Sequence, residues 1–337
     1  MISLINILDE MKNDYSKELY SSSKVITRQF AFSTGSKVNI NLYKLDDACE
    51  ISFLLPSDVD TDSFRKIPSW KGMEIHYLSS ADNYLEFKQV GNYDRRIFVQ
   101  VMQDVIDAVE LAGLSRTIFS VIDVLSKWSS FFKRNEQTTL SEIEQQGLYG
   151  ELCVFEKLLK SRNDVVACWT GCMKETHDYY TDANAIEVKT SCKSGPDIIK
   201  VSNEYQLDDS DVDSRLYLVF LKMKRSEADG EKLPAIVKRI HEKLTEDQRE
   251  KFEDKLMKAG YIYKMPELYT YAFRVRNERF FEVKEGFPRI IALNLDNGIG
   301  AVEYELSLDA CTGYEVSEDV FIKELLHNGN RSNAAVQ

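Results

Sequence analysis

Residues 186–191 read Ile-Glu-Val-Lys-Thr-Ser, and Asp178 lies a short way upstream. The spacing is Asp-x8-Glu-Val-Lys, with Asp178, Glu187 and Lys189 as its polar members. Side chains alternate along a strand, so Glu187 and Lys189 share one face while Ile186, Val188 and Thr190 face an interior. The stretch 179–184 is rich in turn formers and can fold Asp178 back beside Glu187. Two carboxylates and an amine gathered at one point suit metal-dependent phosphodiester cleavage. Mg²⁺ takes carboxylate oxygens in an octahedral shell completed by water, and the backbone carbonyl of Val188 can add one more oxygen. Such a cation activates water and offsets charge on phosphoryl oxygens. Lys189 would orient the water or stabilise the developing negative charge.

A helix upstream offers a further acid. Glu151 stands in Gly147-Leu-Tyr-Gly-Glu-Leu. Gly147 and Gly150 are poor helix formers, and close approach of this helix to a sheet would account for them. Glu151 is one turn from Phe155 and borders the apolar face, which makes it a candidate ligand; a half-exposed surface glutamate is the competing reading.

The Glu-x-Lys triplet has no weight alone. It occurs at Glu10, Glu86, Glu187, Glu253 and Glu282. Those at Glu10 and Glu253 read as helical, and Glu86 follows Asp82 too closely to leave a strand between them. Glu282-Val-Lys284 lies in a strand-like run but lacks an aspartate on an upstream turn. Glu187 alone combines the turn acid, an apolar strand and a preceding amphipathic helix bearing an acid. A surface hairpin with ordinary ion pairs remains the alternative at this level.

The chain has 337 residues, 43% of them hydrophobic, which is enough for one large domain or two ordinary ones. The net charge of −12 argues against coating nucleic acid by electrostatics alone. The start of the chain carries Asp9 and Glu10 and does not read as a signal peptide. No apolar run reaches transmembrane length. A cytoplasmic protein with no membrane partner is expected, its six cysteines reduced. Cys168-x3-Cys172 has the spacing of half a zinc site, with His177 nearby, but no second pair completes four ligands.

Periodicity divides the rest. A helix is expected over 4–19, strands between 25 and 90, and turns at 56–62 and 79–83. Helices follow over 95–112 and 116–132, then a polar linker at 133–139. A capping box, Ser141 with Glu144, opens a helix over 141–160. Strands fit 185–192, 198–202 and 216–223, followed by helices over 233–244 and 246–259. Strand-like runs return at 269–275, 280–283, 290–295 and 301–306, before a helix near 320–327. The whole is a mixed α+β pattern with no Gly-rich phosphate loop.

Five segments together resemble the PD-(D/E)XK nuclease superfamily, and more closely a bacterial family of PD-(D/E)XK-motif proteins found among restriction and phage-defence genes. They are the Gly147–Leu152 run, His177-Asp178, the 186–191 strand, Val201-Ser-Asn-Glu-Tyr-Gln-Leu and Phe281-Glu-Val-Lys-Glu-Gly-Phe-Pro-Arg-Ile. They stand in the expected order across about 140–310. The resemblance implies a restriction-endonuclease-like core, a mixed four-stranded sheet flanked by helices. It implies Asp178 and Glu187 as metal ligands, Lys189 as the catalytic lysine and Glu151 as the helix acid. Gln206 falls where some relatives place a polar residue near substrate, and Lys193 is a second substrate-binding candidate. His177 stands where the motif has proline; it reads as a hydrogen-bonded loop histidine, with a general base as the alternative. Arg289 could contact phosphate, though Pro288 more simply marks the start of a strand. Phe30, Phe32, Tyr43 and Phe53 fit strand packing better than base stacking.

The resulting expectation has three parts: residues 1–135 as a β-rich and helical region for recognition or assembly, 136–327 as the nuclease-like domain, and 328–337 as a flexible tail. The function expected is a Mg²⁺-dependent DNA endonuclease, with Mn²⁺ able to substitute, acting as the cleavage component of a restriction-like defence system. Its partners would be DNA, a second copy of the chain, and defence subunits such as a helicase, ATPase or methyltransferase. The alternative is a catalytically inactive scaffold or DNA-binding subunit of the same fold. RNA or branched DNA is a third possible substrate.

Overall fold

The structure, a computed structural model, describes residues 3–15, 25–32, 37–45, 48–56, 61–79, 83–91, 94–113, 116–134, 139–173 and 175–327. Most of the expected linker, the tail from 328, residues 16–19 of the first helix and the middles of the two expected turns lie outside them. Contacts divide the chain into two compact units, Met1–Thr138 and Thr139–Gln337. Among the described residues no helix is long and apolar enough to cross a membrane.

The first unit opens with helix α1 (Leu4–Tyr15). Strands β1 (Val25–Ala31), β2 (Lys37–Leu45), β3 (Ala48–Pro56), β4 (Met73–Ser79) and β5 (Asn83–Gln89) form an antiparallel sheet in the order β1-β2-β3-β5-β4. A short helix, α2 (Thr61–Phe64), interrupts the strands, and α3 (Arg95–Ala112) and α4 (Thr117–Arg134) follow. Alternation decides the buried face: Val38, Ile40 and Leu42 on β2 and Ile51, Phe53 and Leu55 on β3 are fully buried. Phe32 is buried with them, and Phe30 meets it edge-on at 6.1 Å between ring centres. The side chain of Tyr43 lies outside the described residues.

The second unit begins with α5 (Glu142–Leu159), opened by the expected box: Glu144 N–H donates to Ser141 Oγ at 3.3 Å, and Ser141 N–H to Glu144 Oε2 at 2.7 Å. After the short helix α6 (Val165–Cys168) come β6 (Tyr179–Thr181), β7 (Asn184–Ser191), β8 (Ile198–Val201), β9 (Arg215–Arg225) and β10 (Glu231–Lys232). Then follow α7 (Leu233–Lys243), α8 (Glu246–Ala259), β11 (Ala272–Val283), β12 (Tyr304–Ser307), β13 (Glu315–Val316) and α9 (Glu318–His327). The main sheet runs β10-β11-β9-β7-β6, with β13 on β11; β7 and β9 are parallel and the other pairs antiparallel. It is the expected mixed sheet flanked by helices.

The sheet is buried on both faces. Ile186 and Val188 of β7 and Tyr217, Val219 and Leu221 of β9 pack with Leu152 and Phe155 of α5, Ile236 of α7 and Phe252 of α8. The alternate residues, Ala185 with Leu216, Leu218 and Phe220, pack with Ile199 and Val201 of β8 and Leu306 of β12. This is why β9 reads as a nearly continuous apolar run.

Several expectations change. The sheet has six strands and not the four that the resemblance implies; three of them, β6, β10 and β13, are two or three residues long, too short to show a period. The 198–202 strand leaves the main sheet and pairs with β12 in a separate two-stranded sheet. The runs 269–275 and 280–283 merge into β11, joined through an irregularity between Val275 and Asn277 where it pairs with β9. The run 290–295 is a 3-10 turn (Ala292–Asn294) that leaves Leu293 exposed, and no strand starts at Pro288. Arg289 is tied to the Leu207 carbonyl at 2.6 Å and to Asp209 at 2.9 Å, so it braces this loop.

The two helix glycines have different causes. A Cβ on Gly150 would lie 2.2 Å from Cγ2 of Thr190 and 3.3 Å from Leu221, so α5 rests directly on β7 and β9 there. A Cβ on Gly147 would meet nothing within 4 Å, so close packing does not explain that residue. Gly147→Ala should therefore stabilise the protein by about 0.5–1 kcal/mol, through helix propensity. Gly150→Ala should destabilise it by about 1–3 kcal/mol, because the β-branched Thr190 cannot turn away freely. Urea denaturation of both variants checks the opposite signs.

Candidate active site

The hairpin β6–β7 sets the site. Its register pairs Tyr179 with Ile186, Tyr180 with Ala185 and Thr181 with Asn184. The next step of that register brings Asp178 opposite Glu187, on one face of the sheet. The eight-residue spacing is thus that of a hairpin with a two-residue turn, Asp182-Ala183. Asp182 takes φ +35°, a left-handed conformation that aspartate tolerates. What read as a turn-rich stretch is a short strand and a tight turn.

Asp178 is anchored through both of its parts. Its carboxylate Oδ2 accepts the Val188 N–H at 2.7 Å. Its backbone carbonyl accepts the N–H groups of Thr170 and Gly171 at 2.8 and 2.9 Å. In an extended strand the N–H and C=O of one residue point to the same side. The Val188 carbonyl is therefore turned to the edge where Asp178 sits.

Glu187 is only 3% exposed, which excludes the ordinary surface hairpin. Lys189 Nζ lies 2.9 Å from Glu187 Oε1 and donates to Gln206 Oε1 at 2.8 Å. Gln206 Oε1 also accepts the Ser202 N–H at 2.8 Å, so the lysine is held between two fixed acceptors. The rival triplet is a different environment: Lys284 pairs with Glu282 at the surface, 2.6 Å apart, and Arg215 shares that glutamate.

Glu151 joins from α5. Its Oε2 accepts the indole N–H of Trp169 at 2.7 Å, and its carbonyl accepts the Tyr179 hydroxyl at 2.7 Å. A Cβ on Gly171 would lie 2.6 Å from Asp178 Oδ1 and 2.7 Å from Glu151 Oε2. Two carboxylates from distant parts of the unit thus converge on space that only a glycine leaves open. Burial, then the charges of Glu187 and Glu151, push the Asp178 carboxyl well above the usual range; the Val188 N–H and Lys189 only partly oppose them.

A cleft of about 410 Å³ opens here, lined by Gly171, Thr176, Asp178, Glu187, Tyr205 and Gln206 among others. Lys193 lies exposed beyond the end of β7 and is not among these lining residues. His177 is 1% exposed and neither ring nitrogen has a hydrogen bond, so it is not the hydrogen-bonded loop histidine expected. Gly171, Trp169 and Tyr205 were missed by sequence reasoning, because their roles depend on loops folding back onto the hairpin.

Among the described residues no group of three His, Cys, Asp or Glu side chains already stands in ligating arrangement. The donors nonetheless suit a hard divalent cation. The oxygens of Asp178 and Glu151 border one glycine, Glu187 stands opposite Asp178, and all are carboxylates. A cation there would also relieve the like-charge repulsion that raises the Asp178 carboxyl.

That repulsion has a measurable sign. A carboxyl raised in the folded state contributes stability below its ordinary pKa, and loses it as pH rises through the raised value. In chelator, wild type should therefore lose thermal stability relative to Asp178→Asn between acidic and neutral pH. The asparagine keeps an acceptor for the Val188 N–H and carries no charge. Parallel melting temperatures across that range would contradict the assignment of buried charge.

Residues 12–309 match the family described as "Putative PD-(D/E)XK family member, (DUF4420)". No curated protein and no solved structure matches the chain. PD-(D/E)XK proteins are mostly nucleases and generally use divalent metals. The match covers most of the chain and includes α5, the β6–β7 hairpin and Lys189, and the chain belongs to this family, within the PD-(D/E)XK superfamily.

Proposed function

We propose that this protein is a Mg²⁺-dependent DNA endonuclease, with Mn²⁺ able to substitute, and the cleavage component of a restriction-like defence system. The observation that carries the reading is the hairpin register that sets Asp178 opposite Glu187, with Lys189 on the same face. Asp178, Glu187, Glu151 and the Val188 carbonyl would hold the cation. When bound, the cation would favour deprotonation of water and offset negative charge on the phosphoryl oxygens.

The chain's own groups supply the rest. Lys189 presents an ammonium on the face of the two acids, where negative charge grows as water adds to phosphorus and the bond to the leaving oxygen breaks. Gln206 keeps that ammonium in place. Burial of Glu187 limits the water that competes for it. The net charge of −12 leaves little general attraction for a polyanion, so DNA would be engaged through the cation and through further subunits. Cutting both strands needs two such sites, which points to a homodimer or a complex with other defence subunits. The first unit, Met1–Thr138, would serve recognition or assembly.

A second reading is a DNA-binding or scaffold subunit that keeps the fold without the reaction. It is favoured by the pairing of Lys189 with Glu187. Plasmid cleavage separates the two. With Mg²⁺ or Mn²⁺, wild type should nick or linearise DNA, chelator should stop it, and Asp178→Ala and Lys189→Ala should each lose about 10²-fold or more. Activity unchanged in both variants would sink the assignment. No cleavage by wild type, with DNA binding retained, would favour the scaffold. Parallel RNA and branched-DNA substrates identify the preferred nucleic acid.

A further inference from the structure

His177 is a buried ring beside the site, 1% exposed, and the reading so far gives it no task. Its ring nitrogens each face a carboxylate without forming a hydrogen bond. Nδ1 is 3.9 Å from Glu187 Oε2, and Nε2 is 3.4 Å from Asp211 Oδ1. Neither has a hydrogen bond, although the side chain is sealed from solvent. Buried polar atoms without partners are rare and costly, and a side chain that only filled space would be apolar.

The residue is held through its backbone and its ring. Thr170 Oγ1 donates to the His177 carbonyl at 2.9 Å. Tyr180 lies against the imidazole, 5.5 Å between ring centres, and its hydroxyl donates to Asp211 Oδ2 at 2.7 Å. The tyrosine therefore fixes both the ring and the acid beyond it. Glu187 Oε1 is already paired with Lys189. Its Oε2 is the oxygen that faces Nδ1. A shift of less than about 1 Å brings that pair into hydrogen-bond range.

We propose that His177 is a positioning residue that links Glu187 to Asp211 and holds the glutamate side chain facing the cleft. It would fix the ligand carboxylate on the side opposite Lys189, as partners behind metal ligands commonly do. This role rests on the reading of Asp178 and Glu187 as cation ligands. The proline of the superfamily motif has no group that could perform it.

Calorimetric titration of the full chain with Mn²⁺ alone tests the proposal, with Asp178→Ala as the control for the site. His177→Leu should weaken Mn²⁺ binding by about 10- to 100-fold, and His177→Asn, whose amide N–H matches the reach of Nδ1, should stay within about threefold of wild type. Melting temperature in chelator should not fall in step with affinity, because His177→Leu removes two unsatisfied atoms. Asp211→Ala, on a half-exposed side chain, gives a second variant should His177→Leu not fold, and a smaller loss in the same direction is expected. Equal affinity in wild type, His177→Leu and Asp211→Ala would overturn the proposal. So would equal losses in His177→Leu and His177→Asn, which would mark a packing effect. If wild type takes up no Mn²⁺, the cation site itself is wrong and the role of His177 falls with it. If Asp178→Ala abolishes binding and the other variants do not change it, the site stands and this inference alone fails.

Discussion

The site depends on a register. Tyr179 pairs with Ile186, and two strand residues further on lies the tight turn at Asp182-Ala183. From that pairing alone, Asp178 stands across from Glu187. A slip of one residue would move one acid to the other face of the sheet, because side chains alternate. Two things keep the register from slipping. Ile186 and Val188 must enter the helix-side core, and β7 is locked in parallel to β9 over its whole length. The fold thus converts a requirement for burying apolar residues into a fixed separation between two carboxylates.

The other parts of the site are brought in by close approach. Gly150 lets α5 settle against Thr190, so Glu151, the next residue, is carried to the same end of the sheet as Asp178. Gly171 lets the loop after Trp169 fold over the acids without filling the space between them. Trp169 and Tyr179 then hold Glu151 by side chain and backbone. Acids gathered in this way repel one another, and the raised Asp178 carboxyl is the sign of that repulsion. An arrangement that is unfavourable when empty is a natural site for a cation.

Much of the second unit was legible in the sequence, for physical reasons that differ by element. The helix α5 announced itself through its capping box, and β7 through alternation of Ile186, Val188 and Thr190 with Glu187 and Lys189. The long strands β9 and β11 showed as apolar or alternating runs. The strands β6, β10 and β13 did not, since two or three residues carry no period. The run 290–295 looked like a strand because apolar residues cluster there, yet Arg289 braces it as a loop. The strand β8 showed as a strand but its pairing with β12 did not, because pairing partners are not encoded locally.

The sequence by itself determined the chemistry on offer: two acids and a lysine at hairpin spacing, an upstream helix acid, and a choice among five Glu-x-Lys triplets narrowed by their surroundings. Those are local properties, set by side-chain alternation and turn chemistry. Only the tertiary structure decided which acids share one space, since Glu151, Gly171 and Gln206 reach the hairpin from elements far away in the chain. It alone placed Lys189 between Glu187 and Gln206. It alone buried His177 between two carboxylates, because burial depends on what packs over a residue and not on its neighbours in sequence.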